Sequence, residues 1–244
     1  MERYRRRSKV PRRTTERACR RETSPTRSIP TRQSTPLDPV ATHAADGYRV
    51  TEVRLGSHSG THIDAPSHTE PDGRTIDEFD VGEFTFDAFL VDCAGTEARE
   101  AIELDDLPDG LRGDPDEKND STNDEMLIFR TGWDVHWGTD RYFDHPYLSR
   151  EVASWCAERG YHVGLDALSP DPSPSEKEVD ATAGADSTAE PDGVPAHREL
   201  LGSGRFVLEN LTGLADLPDG FELRASPLPL AESDGSPVRA VAVW

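Results

Sequence analysis

A chain of 244 residues is long enough to bury a substantial core within one domain, and it carries 27 Lys and Arg against 47 Asp and Glu. With no run of about 18 apolar residues a helical membrane span is excluded, and the Arg-rich opening lacks the apolar centre of a secretory leader. Its three cysteines, Cys19, Cys93 and Cys156, are too widely spaced for a disulfide framework or a cysteine-based zinc module, and they suit a reducing cytoplasm.

The net charge of −20 is unevenly spread. Residues 1–35 hold eleven Arg and one Lys against three Glu, which leaves 15 bases and 44 acids in the rest of the chain. Such an excess of carboxylate argues against nucleic acid or an anionic membrane as a partner. It looks like the hydrated acidic surface of proteins that work in concentrated salt, where screening relieves self-repulsion.

Residues 1–35 lack apolar periodicity and are rich in Arg, Thr, Ser and Pro, which predicts a disordered stretch or one foreign to the native fold. A globular pattern occupies 36–244. Strand-like runs follow at Tyr48–Leu55, Phe86–Cys93, Met126–Arg130, Tyr161–Leu165, Phe206–Leu208, Phe221–Leu230 and Val238–Trp244. The spacing of Val152, Trp155 and Cys156 predicts a helix over Ser149–Arg159, capped by Ser149 and stopped by Gly160. A weaker helical piece follows Glu209, with Leu211, Leu214 and Leu217 on one face and Pro218 as its stop. Acidic loop insertions are expected near 113–124 and 171–195. What remains is a single compact, strand-rich α/β domain without internal repeats.

The chemistry concentrates in His58-Ser59-Gly60-Thr61-His62-Ile63-Asp64-Ala65-Pro66-Ser67-His68. Imidazole and carboxylate together suit zinc, manganese or iron. Gly60, Thr61, Ile63 and Pro66 argue against a helix here. In a straight strand His58, His62 and Asp64 share one face, but the two histidines would stand roughly 13 Å apart at about 3.3 Å per residue. That is too far for one ion held at about 2 Å by each nitrogen. The chain must therefore bend, and Ser59-Gly60 is the pair that permits it. A lone histidine is usually a surface or satisfied core residue, which is the reading for His43, His136, His145 and His162. Three histidines and an aspartate interleaved with Gly, Thr and Pro point to a metal instead.

A second candidate lies further on. Glu209 ends the apolar run Phe206-Val207-Leu208, where an ionised carboxylate needs a cation or hydrogen-bond donors. His197 precedes a turn with Gly202 and Gly204 that can fold it back alongside Glu209. Spacing alone makes this a weak pairing.

These residues resemble the cyclase-like metal-dependent hydrolases, the family of bacterial kynurenine formamidase and isatin hydrolase. The family's His-x-Gly-Thr-His-x-Asp-Ala-Pro-x-His pattern is complete over His58–His68, and matches follow in order at Phe129–Trp133, Gly164–Asp171, His197–Leu211 and Gly235–Val243. The resemblance spans 39–244, with the acidic loops as insertions. It implies the swivelling β/β/α fold of that family and two divalent ions, zinc in first place and manganese as the substitute. By position, His58 and His62 would bind one ion, Asp64 would bridge both, and His197 would bind the second. Glu209, twelve residues later, would contact both ions, and His68 would be the acid/base.

The reaction implied is hydrolysis of a small-molecule amide by metal-activated water, with N-formylkynurenine yielding kynurenine and formate. Ring opening of a cyclic amide of the isatin type is the second expectation, and a metal-binding protein without catalysis the third. The resemblance also implies a homodimer or larger oligomer whose neighbouring chain contributes to the pocket, and the cysteine usage places it in the cytoplasm. From the acidic composition, melting temperature and activity are expected to rise between dilute buffer and molar KCl. Equal melting temperatures across that range would remove the high-salt reading.

Overall fold

A computed structural model of the chain describes residues 39–112, 124–173 and 190–244. The Arg-rich stretch at 1–35 and most of both expected insertions lie outside the described residues. The chain opens with strand β1 (Pro39–Ala41), a one-turn helix α1 (His43–Asp46) and strand β2 (Val50–Thr51), which pairs antiparallel with β1. Strands β3 (His62–Asp64), β4 (Thr85–Asp92), β5 (Ala101–Ile102), β6 (Asp124–Arg130) and β7 (Tyr147–Leu148) follow. Helix α2 (Arg150–Arg159), strand β8 (His162–Leu165) and helix α3 (Pro195–Gly202) come next. The last strands are β9 (Val207–Glu209), β10 (Gly220–Arg224), β11 (Gly235–Pro237) and β12 (Val241–Val243).

Eight strands form one mixed sheet in the order β11-β3-β9-β8-β6-β4-β10-β12. Its centre, β4-β6-β8-β9, is parallel, and both flanks are antiparallel. The apolar run of β6 explains its central place, because a strand covered on both faces needs no polar side. Met126 and Ile128 join one core with Phe84, Phe86, Phe206 and Leu223. Leu127 and Phe129 join the other, with Val152 and Cys156 of α2 and Leu200 of α3. The α2 helix starts where Ser149 Oγ accepts from the Val152 N–H at 3.3 Å and stops at Gly160, whose φ is +82°. Among the described residues no helix is long and apolar enough to cross a membrane.

Four local readings need correction. The run Tyr48–Leu55 pairs only at Val50–Thr51, and its Val53 and Leu55 stay exposed. The run Phe221–Leu230 ends as a strand at Arg224, ahead of Pro227 and Pro229, which cannot donate to a ladder. After Glu209 there is only a 3-10 turn, Leu214–Asp216, because Asn210 and Gly213 take left-handed φ values of 58° and 75° and break a helical path. The stretch read as a solvated loop to Pro195 is not solvated at its ends. Asp171 and Ser173 are buried, and Pro195 opens α3, where Ala196, His197, Leu200 and Leu201 form a buried stripe.

Gly164 on β8 faces Ile128 across the parallel register. A Cβ there would stand 2.6 Å from Ile128 Cδ1 and 3.3 Å from Leu211 Cδ1, both in the filled core. Gly164→Ala is expected to destabilise the fold by about 1–3 kcal/mol through overpacking, read as a lower melting temperature. An unchanged melting temperature would show that the Ile128 side chain has room to turn aside.

Candidate metal centre

Strand β3 lies between β11 and β9, and the register sets His62 opposite Glu209 and Asp64 opposite Gly235. Strand alternation then turns Ile63 into one core and aims His62 and Asp64 together at the other face. The bend required before β3 is present: Gly60 adopts φ +67°, and the rings of His58 and His62 end 5.0 Å apart, edge to face. His68 arrives on the 3-10 turn Pro66–His68, with its ring centroid 4.1 Å from that of His58. His197 comes from the first turn of α3, 5.6 Å from His68 by ring centroid. All six sequence-derived residues therefore meet in one place.

They fall into two groups that share Asp64. In the deeper group, His62 Nε2 lies 3.1 Å from Glu209 Oε2 and 3.3 Å from Asp64 Oδ1, while His197 Nε2 lies 3.1 Å from Glu209 Oε1 and 3.4 Å from Asp64 Oδ2. Several of these approaches are close but not aligned as hydrogen bonds. His62 Nε2, Asp64 Oδ2 and Glu209 Oε1 are buried and have no hydrogen-bond partner. Buried polar atoms left open in this way are costly, and the nitrogen and oxygen donors of His62, Asp64 and Glu209, within 4.8 Å of one another, fit a divalent cation. The shallower group is His58, Asp64 and His68. His58 Nδ1 donates to Asp64 Oδ1 at 2.8 Å, and its Nε2 donates to Asp234 Oδ2 at 2.9 Å. The geometry thus sets His62 with the distant His197 and Glu209, and His58 with His68.

The electrostatics follow from burial. Desolvation alone would raise the Asp64 carboxyl, yet the imidazoles of His197, His58 and His62 hold it below the usual carboxylate range. For Glu209, burial and the Asp64 charge push upward, and His197 and His62 outweigh them. Burial would lower the imidazoles, but the carboxylates reverse this. His58 is held at about 9 by Asp64 and Asp234, and His197 rises well above its ordinary value beside Asp171, Asp64 and Glu209. Positive charge beside them is what offsets buried carboxylates, and a cation held among these side chains would supply it. The tautomer of His62 is set by its Nδ1–H, which donates to the Gly60 carbonyl at 2.8 Å and leaves Nε2 facing the carboxylates.

Two site residues have no place in the sequence argument. Asp171 accepts from His197 Nδ1 at 2.7 Å, and Asp234 lies 3.2 Å from His68 Nδ1 while also holding His58. Asp171 lies at the end of the matched segment Gly164–Asp171, the one available signal; Asp234 directly precedes Gly235–Val243. The isolated histidines play structural parts where they are buried. His162 Nδ1 accepts from the Phe206 N–H at 2.7 Å, and His145 bonds Ser173 Oγ at 2.8 Å.

The family model described as "Putative cyclase" matches residues 21–172. A kynurenine formamidase from Bacillus cytotoxicus is 32% identical over 193 residues, 78% of this chain and 78% of that one. The chain belongs to the cyclase family. Its cyclase fold is similar to that of isatin hydrolase A from Ralstonia solanacearum, with TM-score 0.69 and 22% identity over 92% of this chain and 89% of that one. It is also similar to a structure described as a potential metal-dependent hydrolase with cyclase activity, at TM-score 0.64 and 21% identity, covering 91% and 95% of the two chains.

For this cyclase-family chain, zinc supplied at a thousandfold excess over its Kd is expected to raise stability by about 4 kcal/mol. Glu209→Ala removes a carboxylate of the deeper group and is expected to abolish most of that gain together with zinc uptake. A Glu209→Ala protein that keeps its full zinc content would take Glu209 out of the centre.

Proposed function

We propose that the protein is a metal-dependent hydrolase of amide C–N bonds, and within that class an arylformamidase that converts N-formylkynurenine to kynurenine and formate. The observation that carries the hydrolase reading is the set of buried, partnerless atoms His62 Nε2, Asp64 Oδ2 and Glu209 Oε1 beside His197. The choice of an N-formyl substrate is supported by the 32% identity to the Bacillus formamidase.

His58, His62, Asp64, His197 and Glu209 would hold two divalent ions, zinc first and manganese as the substitute, with Asp64 shared. Bound cations of this kind bring the pKa of water from 15.7 to about 7 and polarise a carbonyl oxygen. Asp64 and Glu209 would lower the net charge of the centre once cations are held there. His68 is the residue suited to move protons. It stands over the buried ligands yet is about a third exposed, so that a substrate and solvent can both reach it. Asp234 beside Nδ1 leaves the other nitrogen of the His68 ring directed away from that carboxylate. Placed so, this ring can give a proton to the departing amine and regain one from water.

A cytoplasmic homodimer or larger assembly accompanies this reading. It is supported by Val40, Tyr48, Val50, Val53 and Leu55, large apolar side chains left exposed on the segment that leads into His58. The two described cysteines, Cys93 and Cys156, are free and buried, as suits a reducing compartment.

Purified protein loaded with zinc or manganese is expected to release formate from N-formylkynurenine. Opening of isatin without formate release would move the assignment to a cyclic-amide hydrolase, and inertness toward both would sink the hydrolase reading. His68→Ala is expected to keep its metal and lose turnover by about 100-fold or more; loss of metal in that variant would make His68 a ligand.

A further inference from the structure

We propose that Asp171 is a positioning residue that fixes the ring of His197 so that Nε2 faces the cation, an inference that rests on the metal-dependent reading above. Asp171 is 1% exposed and belongs to the segment that follows β8. Its carboxylate accepts three hydrogen bonds from the start of α3: Oδ1 from the Ala196 N–H at 2.7 Å, and Oδ2 from the His197 N–H at 3.0 Å and from His197 Nδ1 at 2.7 Å. Helix α3 has no side-chain cap of its own, since Val194 stands at its N-cap position. One buried carboxylate therefore caps the helix from a distant segment and grips the ring that the helix carries.

The first two bonds are what a cap requires. The third is not. It ties down Nδ1 and leaves Nε2 pointing between Glu209 Oε1 at 3.1 Å and Asp64 Oδ2 at 3.4 Å. Carboxylate, imidazole and cation in line form an arrangement whose outer member sets ring orientation, and its loss typically costs 10–100-fold in metal affinity. Asp171→Asn keeps the size of the side chain but has one acceptor oxygen where the native residue has two. Three donors cannot then all be satisfied.

The test loads Co²⁺ into the unsubstituted chain and into Asp171→Asn, and measures affinity by chelator competition, the visible cobalt spectrum and the melting temperature of the metal-free proteins. Asp171→Asn is expected to bind the deeper cobalt at least tenfold more weakly, with an altered spectrum. A variant that melts lower without metal, yet binds cobalt within twofold of the parent with the same spectrum, has lost only a cap and overturns the proposal. Nitrogen-15 spectra of histidine-labelled, unsubstituted protein give a check that needs no variant. Zinc is expected to shift His197 Nε2 and leave Nδ1 protonated, whereas zinc on Nδ1 overturns the proposal. Failure of the metal reading itself is distinct, because then the unsubstituted chain takes up no cobalt at all.

Discussion

The site depends on two carboxylates, Asp64 and Glu209, buried on the neighbouring strands β3 and β9. Like charges held this close out of water repel and are poorly solvated, so they persist only where positive charge is supplied. Around them the molecule gathers imidazole nitrogens from two places: the His58–His68 segment, whose His62 stands opposite Glu209 across the β3/β9 pair, and the first turn of α3. In this light the Gly60 bend, the β3/β9 register and the Asp171 contact serve one purpose. Each brings a nitrogen within reach of a carboxylate that would otherwise be intolerable.

The scaffold makes that arrangement stiff. The four parallel central strands are covered on both faces, and alternate residues of β6 enter two separate cores. The short strands β3 and β11 are added antiparallel at one flank, where irregular chain on either side can carry functional side chains. Gly235 on β11 shows how tight the fit is. A Cβ at that position would stand 2.8 Å from the Ile63 carbonyl and 3.1 Å from His58 Cε1. Backbone passes directly beneath the imidazole, leaving no space for a side chain.

The acidity of the chain has two physically different sources. Many carboxylates lie at the surface, where hydration costs nothing, and some have structural work at the starts of 3-10 turns. Thr75 with Glu78, Asp80 with Glu83, and Glu103 with Asp106 each form reciprocal caps. The catalytic proposal uses only the buried few. Membership of the cyclase family and a net charge of −20 are therefore separate facts about the chain.

The local cluster was legible in the amino-acid order because its members lie within eleven residues and a glycine marks the bend that lets them converge. The central strands were legible too, since runs such as Met126–Phe129 leave a long buried strand as their natural home. Helix α3 was not, because eight residues between a Pro-, Ser- and Asp-rich stretch and a glycine carry little periodic signal. The pairing of His197 with Glu209 was expected from the turn between them, but only tertiary structure brought His62 to the same carboxylate. His62 belongs with Glu209 through a strand register set 147 residues apart, and Asp171 and Asp234 join the site only through such long-range contacts. Chain order carries residue chemistry and local stiffness, but hydrogen-bonded register between remote strands is a property of the packed whole, and that register assembles the centre.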